Sequence, residues 1–350
     1  MVHSQYFSTP PPMPPDLNRP KGGEFGKAFK WGSGIGLGCL APSCLLLFAL
    51  IFFLAGFGAT ISNYKGGIAS QEKIIRQGGD SKVAVLDIKG VIVRERDSRE
   101  SIEENTVSED ILKLLDKAED DKAIKGIVLN INSPGGYVSP TVDIYEKIKE
   151  LKKSGKKVVV SMGDTAASGG YYVSSPADKI FAERTTTTGS IGVIMTLPNL
   201  KGLFDKYGYK EIVIKSGDYK DMGSWSRDMT EEEIKIFQQF IDEAYDDFVK
   251  AIAAGRKMDE SEIRKIADGR IYTGTQAKEL GLVDEIGSFW DAEAETEKLA
   301  GISNATVVEF ARQKSFKEEL LGNISKVASN FGLGKLKISS TPQLKYQWIP

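Results

Sequence analysis

Five short runs of apolar, largely β-branched residues constrain this chain more than any other feature. AVLDIKGVIV (84–93), GIVLNI (126–131), KVVVSM (157–162), KIFAE (179–183) and EIVIK (211–215) read as mostly buried strands. Between them, DILKLLDKAEDD (110–121) and SPTVDIYEKIKELKKSG (139–155) carry helical spacing, the second with Ser139 as N-cap ahead of Pro140 and Gly155 as its stop. Strand alternating with helix predicts an α/β domain from about residue 81. A longer helix is expected over 230–256, opened by Thr230 with Glu233 at the capping-box position. Its Ile234, Phe237, Ile241, Tyr245 and Phe248 form one stripe, suited either to core packing or to a subunit contact.

Upstream, the stretch from Trp31 to Tyr64 carries no charge and includes CLLLFALIFFLAGF. It exceeds the roughly 20 residues that span a bilayer, so one transmembrane helix is expected. A cleaved signal peptide fits less well, because the whole of residues 1–30 would form its n-region and no small-x-small site follows the apolar run. Gly32, Gly36 and Gly34, Gly38 have the spacing that lets membrane helices approach closely. Residues 1–30, with Pro10, Pro11, Pro12, Pro14 and Pro15, read as an extended tail. Its Arg19, Lys21, Lys27 and Lys30 favour a cytoplasmic N-terminus, with the main domain across the cell membrane. The expected organisation is therefore tail 1–30, anchor 31–64, linker 65–80, catalytic domain 81–300 and extension 301–350, which ends in the uncharged YQWIP.

Residue usage then removes whole classes of function. The 46 basic and 48 acidic residues are interspersed, leaving no basic stripe for nucleic acid. Both cysteines, Cys39 and Cys44, lie in the apolar stretch, so the rest of the chain has no thiol for a disulfide, a nucleophile or a metal. The only histidine is His3, in the tail, which excludes a Ser-His-Asp triad and a His-ligated zinc in the domain. No metal or cofactor is expected. A hydrolase built this way must deprotonate its nucleophile with Lys, Asp or Glu.

Three glycine-rich segments follow strands, where open α/β folds place ligands: NSPGG (132–136), GDTAASGGYY (163–172) and TTTTGSIG (185–192). Their glycines expose backbone N–H groups of the kind an oxyanion hole needs. Ser168 stands where a strand passes into a helix, suited to a nucleophile or, more simply, to an N-cap. Ala166 replaces the first glycine of a G-x-S-x-G elbow, and no histidine could serve one.

NSPGG, GDTAASGGYY, TGSIGV and SGDYKDMGS, in that order, with the distal GRIYTGTQAKELGLVDEIG (269–287), resemble the SppA-type signal peptide peptidases over roughly residues 81–300. The resemblance implies a crotonase/ClpP-like α/β fold of repeated β-β-α units and a Ser/Lys dyad. By the same match Ser168 would be the nucleophile, Lys220 the base and Ser190 the residue orienting the lysine. The oxyanion donors would be the N–H of Gly135 or Gly136 and that of Gly169. Lys215 and Lys201 are weaker candidates for the base. A lysine acts as a base only with its amine uncharged, a state that burial favours. The resemblance further implies peptide substrates such as remnant signal peptides and a homo-oligomeric ring, because longer family members carry the serine and the lysine on two tandem copies of the domain. Two alternatives are a crotonase-like acyl-CoA enzyme, which needs no serine nucleophile, and a non-catalytic membrane scaffold.

Overall fold

The computed structural model describes residues 70–95, 105–312 and 345–347. The expected tail 1–30 and anchor 31–64 lie outside these residues. Among the described residues no helix is long and apolar enough to cross a membrane.

In chain order the elements are β1 (Ser70–Arg76), β2 (Gly79–Lys89), β3 (Val91–Val93), β4 (Asn105–Val107), α1 (Ser108–Asp120), β5 (Ile124–Ser133), β6 (Gly135–Tyr137), α2 (Val138–Lys153), β7 (Lys157–Ala167) and α3 (Gly169–Ser174). There follow β8 (Lys179–Ala182), β9 (Thr187–Gly189), α4 (Lys201–Tyr207), a 3-10 turn (Asp218–Asp221), α5 (Glu231–Arg256), α6 (Glu260–Ile266), β10 (Ile271–Thr273), α7 (Gly274–Glu279), β11 (Glu285–Ile286), α8 (Phe289–Ala300), β12 (Ala305–Arg312) and β13 (Lys345–Gln347). The main sheet runs β1-β12-β2-β5-β7-β8-β11, parallel from β12 to β11, with β9 beside the end of β7 and β10 on β9. A smaller sheet, β13-β6-β3-β4, stands next to it.

The central strands are apolar throughout because both faces are covered. Side chains alternate along a strand, so Leu86, Leu129 and Val160 pack with Leu115 of α1 and Ile144 of α2 in the large core. On the opposite face, Val83, Val85 and Val128 pack with Val307 of β12, and Val159 and Phe181 pack with Ala292 of α8. Thr230 caps α5 in a full capping box with Glu233, as its sequence suggests.

Four expectations change. The run 84–93 is two strands in two sheets, because Gly90 turns the chain at φ 66° between β2 and β3. Helix α2 starts at Val138 with Tyr137 as N-cap, two residues ahead of the expected Ser139, and Thr141 Oγ1 donates to the Tyr137 carbonyl at 2.7 Å. Residues 70–76, expected as linker, form β1 on β12, so part of the 65–80 linker and part of the 301–350 extension are built into the sheet. EIVIK (211–215) forms no strand, and its Ile212 and Ile214 are 88% and 96% exposed. Strand propensity expresses the fit to a pleated, half-buried surface, and this run pairs with no strand among the described residues. The stripe on α5 divides: Phe248 is buried in the core, whereas Ile234 is half exposed.

Candidate active site

Strand β7 delivers Ser168 and β9 delivers Ser190. The two strands pair in parallel with Ala167 opposite Gly189, so the next residue of each, Ser168 and Ser190, emerges at the same end of the sheet. Both serines hold positive φ, 52° and 49°, a conformation that L-residues adopt only when their surroundings enforce it. The enforcement is visible. Ser168 N–H donates to the Gly189 carbonyl at 2.7 Å and Ser190 N–H to the Arg270 carbonyl at 2.8 Å. Both side chains are buried.

The turn after β5 lies against the first residues of α3. Ser133 Oγ donates to the Gly90 carbonyl at 2.6 Å and accepts from Gly135 N–H at 3.1 Å. Of the two candidate donors in NSPGG, Gly135 N–H is therefore engaged inside the turn, and Gly136 N–H is the one directed outward to β13. Gly135, at φ +99°, contributes the absence of a side chain. A Cβ there would stand 1.9 Å from the Tyr346 carbonyl oxygen and 2.6 Å from Gly169 N.

Strand β13 pairs antiparallel with β6, Tyr346 opposite Gly136. On its other side Lys345 exchanges both backbone bonds with Ile194, each 3.1 Å. Backbone groups alternate in direction along a strand, so those of Tyr346 face Gly136. The Tyr346 carbonyl thus sits against Gly136 and Gly169, next in sequence to Ser168. A peptide carbonyl lies here against the glycine turn and the start of α3, next in sequence to the buried Ser168, a place where backbone N–H groups could serve acyl transfer.

The lysines are placed differently. Lys220 lies on the turn Asp218–Asp221 within residues 205–220, all exposed, and its amine makes no hydrogen bond among the described residues. Lys215 bonds Asp221 at 2.7 Å and Lys201 bonds Asp228 at 2.6 Å, so both weaker candidates are held in ion pairs. Asp221 also receives Arg227 at 2.9 Å, and these hydrogen bonds, Arg227 first and then Lys215, hold its carboxyl well below the usual carboxylate range. Arg227 binds Glu233 in turn, tying the Lys220 turn to the start of α5.

A family model described as Peptidase family S49 matches residues 150–303, and one described as Clp protease matches residues 80–189. A relative in Enterococcus faecium that carries the SppA signal peptide peptidase name is 38% identical, over 81% of this chain and 86% of its own length. The chain belongs to peptidase family S49. Protease 4 of Haemophilus influenzae is 34% identical over 71% of this chain and 40% of its own, and the chloroplastic serine protease SPPA of Arabidopsis thaliana is 31% identical over 71% and 37%. The chain thus spans less than half of these two longer relatives.

As an S49 member the protein is a serine protease, and its α/β fold is of the ClpP type. Ser168 falls inside both family matches, Lys220 inside the S49 match alone. Two parts of the site escape the sequence. Ser133 belongs to NSPGG, a motif that draws attention for its glycines, yet its hydroxyl fixes the turn. Tyr346 lies in YQWIP, where only the lack of charge stands out.

Proposed function

We propose that this S49 protease is a membrane-anchored endopeptidase working by a Ser/Lys dyad. Ser168 Oγ attacks the scissile carbonyl, Lys220 takes its proton, and Ser190 orients the lysine amine. Gly136 N–H and Gly169 N–H stabilise the oxyanion. The seating of the Tyr346 carbonyl against these two glycines, beside Ser168, is the observation that carries this reading.

Lys220 is exposed while Ser168 is buried, and the apolar Ile212 and Ile214 just ahead of Lys220 have no cover. Both facts support a head-to-tail ring of copies in which Lys220 of one subunit serves Ser168 of the next. The substrates are remnant signal peptides or related membrane and secreted peptides. Residues 31–64 anchor the chain in the cell membrane, the N-terminus cytoplasmic and the protease domain on the opposite side. An amine accepts a proton only in its free form, so hydrolysis rises from neutral to alkaline pH, and chelators leave it unchanged.

The test is co-assembly. Ser168→Ala and Lys220→Ala are each inactive alone, and mixed at equal ratio they regain about one quarter of wild-type sites, the chance of an intact serine meeting an intact lysine across a heterologous interface. Mixed assemblies that form and stay inactive sink the shared site, and unchanged turnover in either single variant sinks the dyad.

A further inference from the structure

A single peptide unit joins the two serines of the site. The Gly189 carbonyl accepts from Ser168 N–H at 2.7 Å, and the N–H of the same peptide, which belongs to Ser190, donates to the Arg270 carbonyl at 2.8 Å. The tilt of that one plane therefore sets the backbone of Ser168 and of Ser190 together. Ser168, Gly189 and Ser190 hold φ of 52°, 77° and 49°, and for the two serines such angles persist only under outside constraint.

Part of the constraint comes from β10. Its Ile271 stands opposite Gly189 and its Tyr272 opposite Thr188. The Tyr272 ring leans over Gly189, where a Cβ would stand 2.6 Å from Tyr272 Cδ2 and 3.2 Å from Cε2. The far end of the ring is tied, because the phenol donates to the Ile266 carbonyl at 2.9 Å. That anchor is itself fixed. Tyr245 in α5 donates its hydroxyl to the next carbonyl, Ala267, at 2.9 Å, and Gly269 N–H donates to the Ile191 carbonyl at 3.1 Å. A ring packed at one end and hydrogen-bonded at the other is locked, so it braces the Gly189–Ser190 peptide from the side while the Ser168 and Arg270 bonds hold it in line.

We infer that Tyr272 is a positioning residue for Ser168 and Ser190, acting through the Gly189–Ser190 peptide. The inference rests on the dyad reading above, in which Ser168 attacks and Ser190 orients the lysine amine. Without the tethered ring the peptide plane is free to rotate, and the two serine hydroxyls leave their places together. A misplacement of about 1 Å costs roughly 100-fold in rate. Tyr272 acts on the reacting groups and not on the bound peptide, so the loss falls on kcat and leaves KM in place.

The experiment uses the full chain. Tyr272→Leu keeps apolar bulk without the ring, and Tyr272→Phe keeps the ring without its tether. Both are compared with wild type for kcat and KM on a fluorogenic peptide, for the rate at which a fluorophosphonate labels Ser168, and for thermal melting. Phe310→Leu, at a buried position of β12, is the control for lost packing alone. Tyr272→Leu should lower kcat and the labelling rate by about 100-fold with KM within about threefold of wild type, and Tyr272→Phe should recover about tenfold of that loss. Phe310→Leu should melt lower and keep its kcat. Tyr272→Leu with wild-type kcat, a change in KM alone, or Phe310→Leu losing kcat in equal measure overturns the positioning role. If Tyr272→Leu does not fold, Tyr272→Phe decides, and wild-type kcat in that variant overturns the inference. In each of these cases an active wild type leaves the peptidase reading standing. Wild type that neither hydrolyses peptide nor labels at Ser168 overturns both.

Discussion

Replacing Gly135 with alanine separates the backbone's role in folding from its role in catalysis. Gly135 holds φ +99°, where an L-residue costs about 1–2 kcal/mol. A domain of this size should lose roughly 2–4 °C in Tm per kcal/mol. The larger effect is local. The new Cβ would stand 1.9 Å from the Tyr346 carbonyl oxygen and 2.6 Å from Gly169 N, both backbone atoms. The substrate carbonyl must then withdraw from the donors, and losing one oxyanion donor costs about 10²–10³ in kcat. Gly155→Ala is the matched control: it too has positive φ, +94°, yet no atom lies within 4 Å of its Cβ. It should melt lower by a similar amount and keep its turnover. The assay is kcat/KM on a fluorogenic peptide beside a thermal melt of each variant. Gly135→Ala within about threefold of wild type, or Gly155→Ala losing activity in parallel, would refute the reasoning.

Two predictions concern the region around Lys220. Asp221 and Glu233 are both held below their ordinary values of 3.8 and 4.5, chiefly by hydrogen bonds from Arg227, so their contribution to stability is full above those values and is lost as pH falls through and below them. In urea titrations Arg227→Gln should unfold earlier than wild type at pH 7, with the gap closing below about pH 3, and parallel curves would refute the assignment. Ile212→Asp with Ile214→Asp changes two side chains that are 88% and 96% exposed, so Tm should shift by no more than about 0.5 kcal/mol equivalent, while the mass of the assembly falls by light scattering. Unchanged mass would remove this segment from the subunit contact.

The sequence alone determined the α/β class and the chemistry that is excluded. Buried parallel strands write themselves as continuous apolar runs, and 126–131 and 157–162 stand in the centre of the sheet as their patterns imply. With His3 as the only histidine, residues 81–300 hold no imidazole for a triad, and the motifs around Ser168 and Ser190 mark the two strand ends that the sheet brings together. Tertiary structure decided the rest, because those features depend on what lies opposite. EIVIK has the composition of a strand, but a strand exists only when it pairs with a neighbour, and among the described residues this run pairs with none. Whether Gly135 or Gly136 faces a substrate turns on the Ser133 hydroxyl, whose bonds close only when β3 and β6 meet in the small sheet. Nothing local to YQWIP places Tyr346 beside Gly136 and Gly169. Its place follows from the pairing of β13 with β6, more than 200 residues earlier in the chain, and a contact of such sequence separation leaves no periodicity to read.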